Sequence, residues 1–412
     1  QLPRVSMAWL TPSAFKPGDA DAEIVADILG GGRSSRLYKK LVYELQIAQT
    51  VSAFQNSLIL GSMFQIQATA RPGHTATELE QAIEQELNVI RTQPPTAAEI
   101  EQARNSIETA IIGGLDRLGG FGGVADRLNM YNHYLGTPGY LDKDIQRYRA
   151  VTPQSVQAFA REYFATNSRV VVHAVPGQPQ IDTPQSPPVA SAEASQGVGQ
   201  SINAEEPWRF EMPKPGAARP LELATPTSAT LPNGLTLILN ERRGLPIVAA
   251  SLVIKAGSDA NPVEKSGLAS FVAAMLDEGT GTRGALQIAD ELARLGATLN
   301  TGSTMDATTI SARSLSKNFG ATLDLMADVA LRPSFPADEI ERQRANRLGQ
   351  LVQQRDNPGQ VAAQVMAVAL YGSRHPYGYT EVGTEAATKA ITREEMSDFW
   401  RRSFVPNSAA LV

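Results

Sequence analysis

The sequence predicts an α+β protein made of two duplicated domains, each with helices packed on a mainly antiparallel sheet. Three observations carry that prediction. Short segments repeat at one fixed offset, strand-like and helix-like runs alternate through both halves, and a stretch of biased composition separates them. At 412 residues the chain also exceeds what one hydrophobic core normally organises.

The repeat is specific. Ala150-Val151-Thr152-Pro153, Ala158-Phe159 and Tyr163-Phe164-Ala165-Thr166-Asn167-Ser168 match Ala390-Ile391-Thr392-Arg393, Asp398-Phe399 and Ser403-Phe404-Val405-Pro406-Asn407-Ser408 at an offset of 240. The same offset carries Glu99-Ile100-Glu101 onto Glu339-Ile340-Glu341. Two separated matches at one spacing argue for duplication. Between the copies, residues 177–227 are rich in Pro, Ser, Ala and Gln, as in Thr183-Pro184-Gln185-Ser186-Pro187-Pro188. Few side chains there can offset the entropy of ordering, so the stretch reads as a linker, with Trp208 and Phe210 expected to dock on a neighbouring surface. The domains are then 1–176 and 228–412.

The elements follow in order. Val5 to Leu10 is strand-like, and Ala22 to Leu29 is helical. Phe54 to Ala70 alternates as strands do, with Phe64, Ile66 and Ala68 on one face. Thr75-Ala76-Thr77 caps a helix over 78–92, where Leu79, Ile83, Leu87 and Ile90 recur at helical spacing. Gly119-Gly120-Phe121-Gly122-Gly123 breaks two helices apart, and Val170 to Val175 is a strand holding His173. In the second half Thr230 to Leu239 is strand, turn, strand, the turn resting on Asn233-Gly234 because both residues tolerate positive φ. Val248 to Ala256 is an apolar strand, and helices follow at about 265–276, 285–295, 316–330 and 336–355. The chain opens without an initiator Met and stops at Ser408 to Val412 as a strand begins, which suggests a piece of a longer protein.

Composition narrows the function. The net charge of −5 gives no reason to expect nucleic acid, and no apolar run is long enough to span a bilayer. Cysteine is absent, which removes disulfides, thiolate metal sites and a cysteine nucleophile. The four histidines, His74, His133, His173 and His375, are too far apart for two to share a helical turn, so each reads as structural or exposed. Leu29-Gly30-Gly31-Gly32-Arg33-Ser34-Ser35-Arg36-Leu37 invites a phosphate-loop reading, but the glycines follow a helix and no Lys stands in place. A helix C-cap leading into another helix start explains them. No serine nucleophile elbow and no dinucleotide fingerprint is present.

Several motifs in the second half stand together: Leu231-Pro232-Asn233-Gly234-Leu235, Gly257-Ser258, Ser266-Gly267-Leu268-Ala269, Met275-Leu276-Asp277-Glu278-Gly279-Thr280, His375-Pro376-Tyr377-Gly378 and Phe404-Val405-Pro406-Asn407-Ser408. With them this half resembles the metal-type domain of pitrilysin/insulinase-family (peptidase family M16) zinc metallopeptidases. Through Leu29 to Leu37 the first half resembles the family's companion domain.

The resemblance implies a site whose residues are gone. Active members carry His-x-x-Glu-His between the Gly-Leu-Ala and Met-Leu elements, two imidazoles for one Zn²⁺ and a Glu to take the proton of bound water. Those positions fall on Ser270, Ala273 and Ala274. The third ligand, about 76 residues on, falls on Gln350, and its supporting Glu, about seven back, on Gln343. The family's Arg and Tyr, which help polarise the substrate carbonyl, fall on Val42 and Gln49. Restoring His at Ser270 and Ala274, with Glu at Ala273 and Gln350, is expected to recover metal affinity if the backbone has kept its place.

The resemblance therefore implies an inactive segment without a cofactor, within a parent that is a zinc peptidase. Its partners are a peptide substrate and either the remaining domains of the same chain or a homologous subunit. In that reading the segment forms chamber wall, hinge and peptide-binding edge while zinc sits in another domain. The other reading is a catalytically silent scaffold that serves an active homologue. The absence of cysteine fits an exported protein and a cytosolic one alike, and with the similarity to bacterial members the expected compartment is the periplasm, the cytoplasm being the alternative.

Overall fold

The structure, a computed structural model, describes residues 2–177 and 225–412, with residues 211, 214, 216 and 217 between them. Trp208 and Phe210 lie outside the described residues. By internal contacts the stretches ending at Pro176 and beginning at Pro226 make one compact unit. The unit has two lobes, one from each stretch.

The first lobe runs β1 (Arg4–Thr11), α1 (Asp19–Gly30), β2 (Ala48–Asn56), β3 (Ser62–Ala70), α2 (Ala76–Thr92), α3 (Ala97–Gly114), α4 (Val124–Leu135), α5 (Leu141–Ala150), α6 (Pro153–Tyr163) and β4 (Arg169–Ala174). Its four-stranded sheet is ordered β2-β3-β1-β4 and is antiparallel throughout. Alternation decides the faces: Val5, Met7 and Trp9 are buried, and the register sets them against Ala68, Ile66 and Phe64. Trp9, Phe64 and Phe164 close the core, with the two phenylalanine rings 4.6 Å apart. Burial of each such side chain contributes roughly 1.5–3 kcal/mol. The alternating stretch 54–70 is two strands, because Ser57 to Gly61 turns. Ser62 Oγ ties the turn by accepting from Leu58 N at 3.0 Å. Leu58, Ile59 and Leu60 in that turn are exposed apolar residues that imitate a strand in sequence.

The second lobe runs β5 (Thr227–Thr230), β6 (Thr236–Leu239), β7 (Ile247–Ile254), α7 (Leu268–Met275), α8 (Ala285–Leu295), β8 (Thr298–Ser303), β9 (Thr308–Leu315), α9 (Phe319–Leu331), α10 (Ala337–Arg355), α11 (Pro358–Tyr371), α12 (Glu385–Ala390), α13 (Arg393–Ser403) and β10 (Ala409–Leu411). Its six-stranded sheet is ordered β5-β6-β10-β7-β9-β8, antiparallel except where β10 meets β6. The run β8-β9-β7-β10 repeats β2-β3-β1-β4, and the β5–β6 hairpin adds to it. Duplication reaches the caps. Thr152 with Ser155 starts α6 and Thr392 with Glu395 starts α13, each through a reciprocal capping box. Helix α7 begins only at Leu268, because Gly267 sits at φ 87°. Among the described residues no helix is long and apolar enough to cross a membrane.

Candidate functional site

Helices α7 and α10 carry the positions that the sequence marks as metal-type. Ser270, Ala273 and Ala274 lie on α7, and Gln343 and Gln350 on α10. Ala273 is 1% exposed and packs as a core residue, Ala274 is half-buried, and Gln350 is exposed. Ser270 is not idle. Its hydroxyl donates to the carbonyl of Glu381 and accepts from Arg347 Nη2 at 2.8 Å.

Arg347 is the residue that defines this pocket. It stands one helical turn before Gln350, on the buried side of α10. The same Nη2 donates to the carbonyls of Gly267 at 3.2 Å and Val382 at 2.9 Å, and the guanidinium lies 4.8 Å from the Phe271 ring centre. No carboxylate of the described residues is among its hydrogen-bond partners, and its Nε has none. Burial alone pushes its pKa down to about 10, so it stays a cation at neutral pH. The backbone gives it room to bridge: Gly267 meets Val382 so closely that a Cβ would sit 2.2 Å from the Val382 carbonyl oxygen.

A zinc ion does not fit these residues. Two alanine side chains offer no lone pair, Ser270 Oγ is taken, Gln350 points into solvent, and Arg347 already supplies a positive charge where the first ligand would stand. Among the described residues no three His, Asp or Glu side chains gather as a metal cluster.

Gln343 turns instead to Glu278, a 1%-exposed carboxylate that joins the lobes. Glu278 also pairs with Arg342 from α10 and, at 2.5 Å, with Arg33 of the first lobe. Arg33 reaches Asp277 at 2.6 Å as well. Burial opposes the Arg33 charge, but Asp277 and Glu278 outweigh it and raise its pKa. Nearby, Tyr43 donates to Glu339 at 2.7 Å, and burial together with that carboxylate pushes the phenol up to about 12.

The companion-type positions behave differently from one another. Val42, on a π-helical segment Tyr38–Glu44, is 1% exposed in the first lobe's core. Gln49, on β2, reaches across the lobes: its Nε2 donates to the Asn346 carbonyl at 2.8 Å, beside Arg71, which donates to Asn346 Oδ1 at 2.8 Å. Gly349 lies directly beneath it, since a Cβ there would meet Gln49 Oε1 at 2.5 Å. The lobes thus bring Gln49 against α10 but leave Val42 apart.

The remaining motifs are structural. Gly30 packs on β2, where a Cβ would lie 2.0 Å from Ala53 N, and Gly31 caps α1 by donating to the Asp27 carbonyl. His173 pairs with Glu80 at 2.8 Å, His74 approaches Glu78 at 3.7 Å, and His375 stacks on Tyr371. The contact of His133 is with the ring of Tyr134.

A cleft of about 800 Å³ opens between α3 of the first lobe and α8 and β8 of the second. Asp27, Arg33, Arg117, Asn300 and Arg313 line it. Burial pushes Asp27 up to about 7, partly offset by a hydrogen bond with Ser106. Arg347, Arg313 and Glu278 were not visible as site residues in sequence. Glu278 stood inside a quoted motif, but its partners come from two segments far from it in the chain, Arg33 in the first lobe and Arg342 with Gln343 on α10.

Comparison with known proteins finds similarities in both lobes. The model of the insulinase family (peptidase family M16) matches residues 237–377, and that of the peptidase M16 inactive domain matches residues 1–107. An uncharacterized zinc protease of Mycobacterium bovis is 28% identical over 195 residues, 47% of this chain and 44% of that protein. The zinc protease YmxG of Bacillus subtilis is 24% identical over 182 residues, 44% of each. A peptidase M16 inactive domain crystallised from Pseudomonas fluorescens shares 28% identity over 46% of each chain, with a TM-score of 0.44. The chain spans less than half the length of the curated relatives first matched. Two models of one family, matching the two lobes, settle the assignment: the chain belongs to the insulinase family, peptidase family M16.

Proposed function

We propose that this chain is the non-catalytic central portion of a pitrilysin-like zinc metalloendopeptidase, contributing chamber wall and a peptide-binding edge while zinc is held by another domain of the parent. One observation carries the reading: the Arg347 guanidinium occupies the side of Ser270 where an active member needs a metal. The second lobe's sheet supports it. On β9 the residues Thr309, Ser311 and Arg313 are half-exposed and polar, alternating with buried ones, which suits a wall facing water. Among the described residues strand β8 pairs with β9 alone and ends the sheet, which leaves its outer edge for an extended peptide.

The test uses the whole chain. After equilibration with zinc chloride and dialysis, metal analysis is expected to find far less than one zinc per chain, and a quenched fluorogenic peptide is expected to stay intact. Hydrolysis that a chelator abolishes would overturn the proposal.

A second reading draws on the 27% identity over 183 residues to a protein named probable mitochondrial-processing peptidase subunit beta of Arabidopsis thaliana. Here the chain is a silent partner subunit, and it differs from the first reading by raising the activity of a separate zinc peptidase when mixed with it.

A further inference from the structure

The cleft between the lobes has a charge pattern that its pairings do not cancel. Three acidic side chains line it, two of them engaged by arginines. Asp277 is held by Arg33 at 2.6 Å, and Asp116 lies 3.3 Å from Arg242. Burial lifts the Asp27 carboxyl to about 7, so it carries only about half its charge at neutral pH. Of the three arginines lining it, Arg33 is spent on Asp277 and Glu278. Arg313 Nη2 reaches only the Gly113 carbonyl, at 3.3 Å, and Arg117 Nη2 only that of Phe121, at 3.4 Å. Neither meets a carboxylate among the described residues. Two cations therefore face the cleft with backbone carbonyls as their sole hydrogen-bond partners among the described residues.

Their position relates to the open edge. Thr298, Leu299 and Asn300 of β8 line the same cleft, and Thr298 is the direct cross-strand neighbour of Arg313. The six residues of β8 extend about 20 Å at roughly 3.3 Å each. A chain added along that edge would run past Arg313 at the Thr298 end. Arg117 lies on the opposite wall, just beyond α3.

We propose that the cleft selects extended peptides bearing carboxylates, with Arg313 and Arg117 as the specificity-determining residues and the β8 edge as the backbone-binding element. The proposal rests on the peptide-binding reading above and adds to it a substrate class. Main-chain hydrogen bonds to β8 supply sequence-tolerant affinity, and the two guanidiniums supply discrimination through charge-assisted contacts. A small anion has no use for the strand edge, and the chain's net charge of −5 disfavours a polyanion such as nucleic acid.

Fluorescence anisotropy of the full chain with labelled, C-terminally amidated extended decapeptides tests this. A peptide with two Glu residues is expected to bind about tenfold tighter than its Gln counterpart at low salt, with the gap shrinking as salt rises. R313Q combined with R117Q is expected to erase the gap while both peptides keep the weaker affinity, and R313K, which retains charge, is expected to preserve it. A neutral peptide with a free C-terminus separates recognition of the terminal carboxylate from that of side chains: tight binding of it alone overturns the side-chain assignment. Equal binding of the Glu and Gln peptides, or a gap that survives the double substitution in a folded protein, overturns the selectivity. Failure of every peptide to bind overturns the peptide-binding reading itself.

Discussion

The Nη2 atom of Arg347 lies 2.8 Å from Oγ of Ser270, so a guanidinium joins α7 and α10, the two helices that carry the positions marked as metal-type in the sequence. The contact also reaches the Gly267 and Val382 carbonyls, so one side chain ties α7, α10 and the segment before α12. A cationic side chain is thus the cross-link between these two helices.

That relation changes what a metal-restoring design needs. Ser270→His, Ala273→Glu, Ala274→His and Gln350→Glu together are expected to give no stoichiometric zinc binding, because the Arg347 cation repels the metal and must be displaced from its carbonyls. Adding Arg347→Leu is expected to let zinc bind. Calorimetric titration of the two variants decides it, and tight binding by the four-fold variant would contradict the role given to Arg347.

Gly349 and Gln49 predict a change of sign. In the present sequence Gly349→Ala drives a Cβ to 2.5 Å from Gln49 Oε1 and disturbs the bond to Asn346, costing about 1 kcal/mol. In a Gln49→Ala background the same change only removes a glycine from a helix interior and is expected to stabilise by roughly 0.5–1 kcal/mol. Urea denaturation of the four proteins of that cycle measures it.

Glu278 is the buried carboxylate on which Arg33, Arg342 and Gln343 converge. Glu278→Ala leaves Arg342, itself 3% exposed, short of a partner and is expected to cost roughly 3–5 kcal/mol. Limited proteolysis is expected to show the lobes separating earlier in denaturant. Arg33→Gln is expected to cost less, because Arg33 is partly exposed and Glu278 keeps its other partners.

Glu23 sets a pH dependence in the first lobe. Burial is the main cause that lifts its carboxyl to about 7, and Asp19 and Asp144 add to the rise. Tyr148, donating at 2.9 Å, and Arg147 oppose it, and Ser57 also faces it. A carboxyl whose folded pKa is raised contributes stability below its unfolded pKa and loses it as pH climbs through the folded value. Stability relative to Glu23→Gln is therefore expected to fall between about pH 4.5 and 7, by on the order of 1–3 kcal/mol, and then level off. Denaturation midpoints of both proteins across that range provide the check.

Much of the fold was legible because it rests on local rules. The helix over 285–295 and the cap at Thr75 need only spacing and a hydroxyl, and the structure has both. The 240-residue repeat returns as two helices with matching capping boxes and a shared strand order. The turn at Ser57 to Gly61 was hidden because its apolar residues copy a strand while lying exposed. Arg347 was hidden for another reason: an arginine on a polar helix looks solvent-facing until α7 and residues 381–382 close over it.

The sequence by itself determined that positions 273 and 274 offer no ligand atom, since alanine has none wherever it is placed. It also determined the duplication and the alternation that buries Val5, Met7 and Trp9, because those depend on residue type and period alone. Only the tertiary structure decided what packs against Ser270 and how the lobes meet. Arg347 with Ser270, Glu278 with Arg33, and Gln49 with Asn346 are pairs distant in the chain. No local pattern encodes such pairs, because their energy comes from shared burial of charge and hydrogen bonds after the elements have packed.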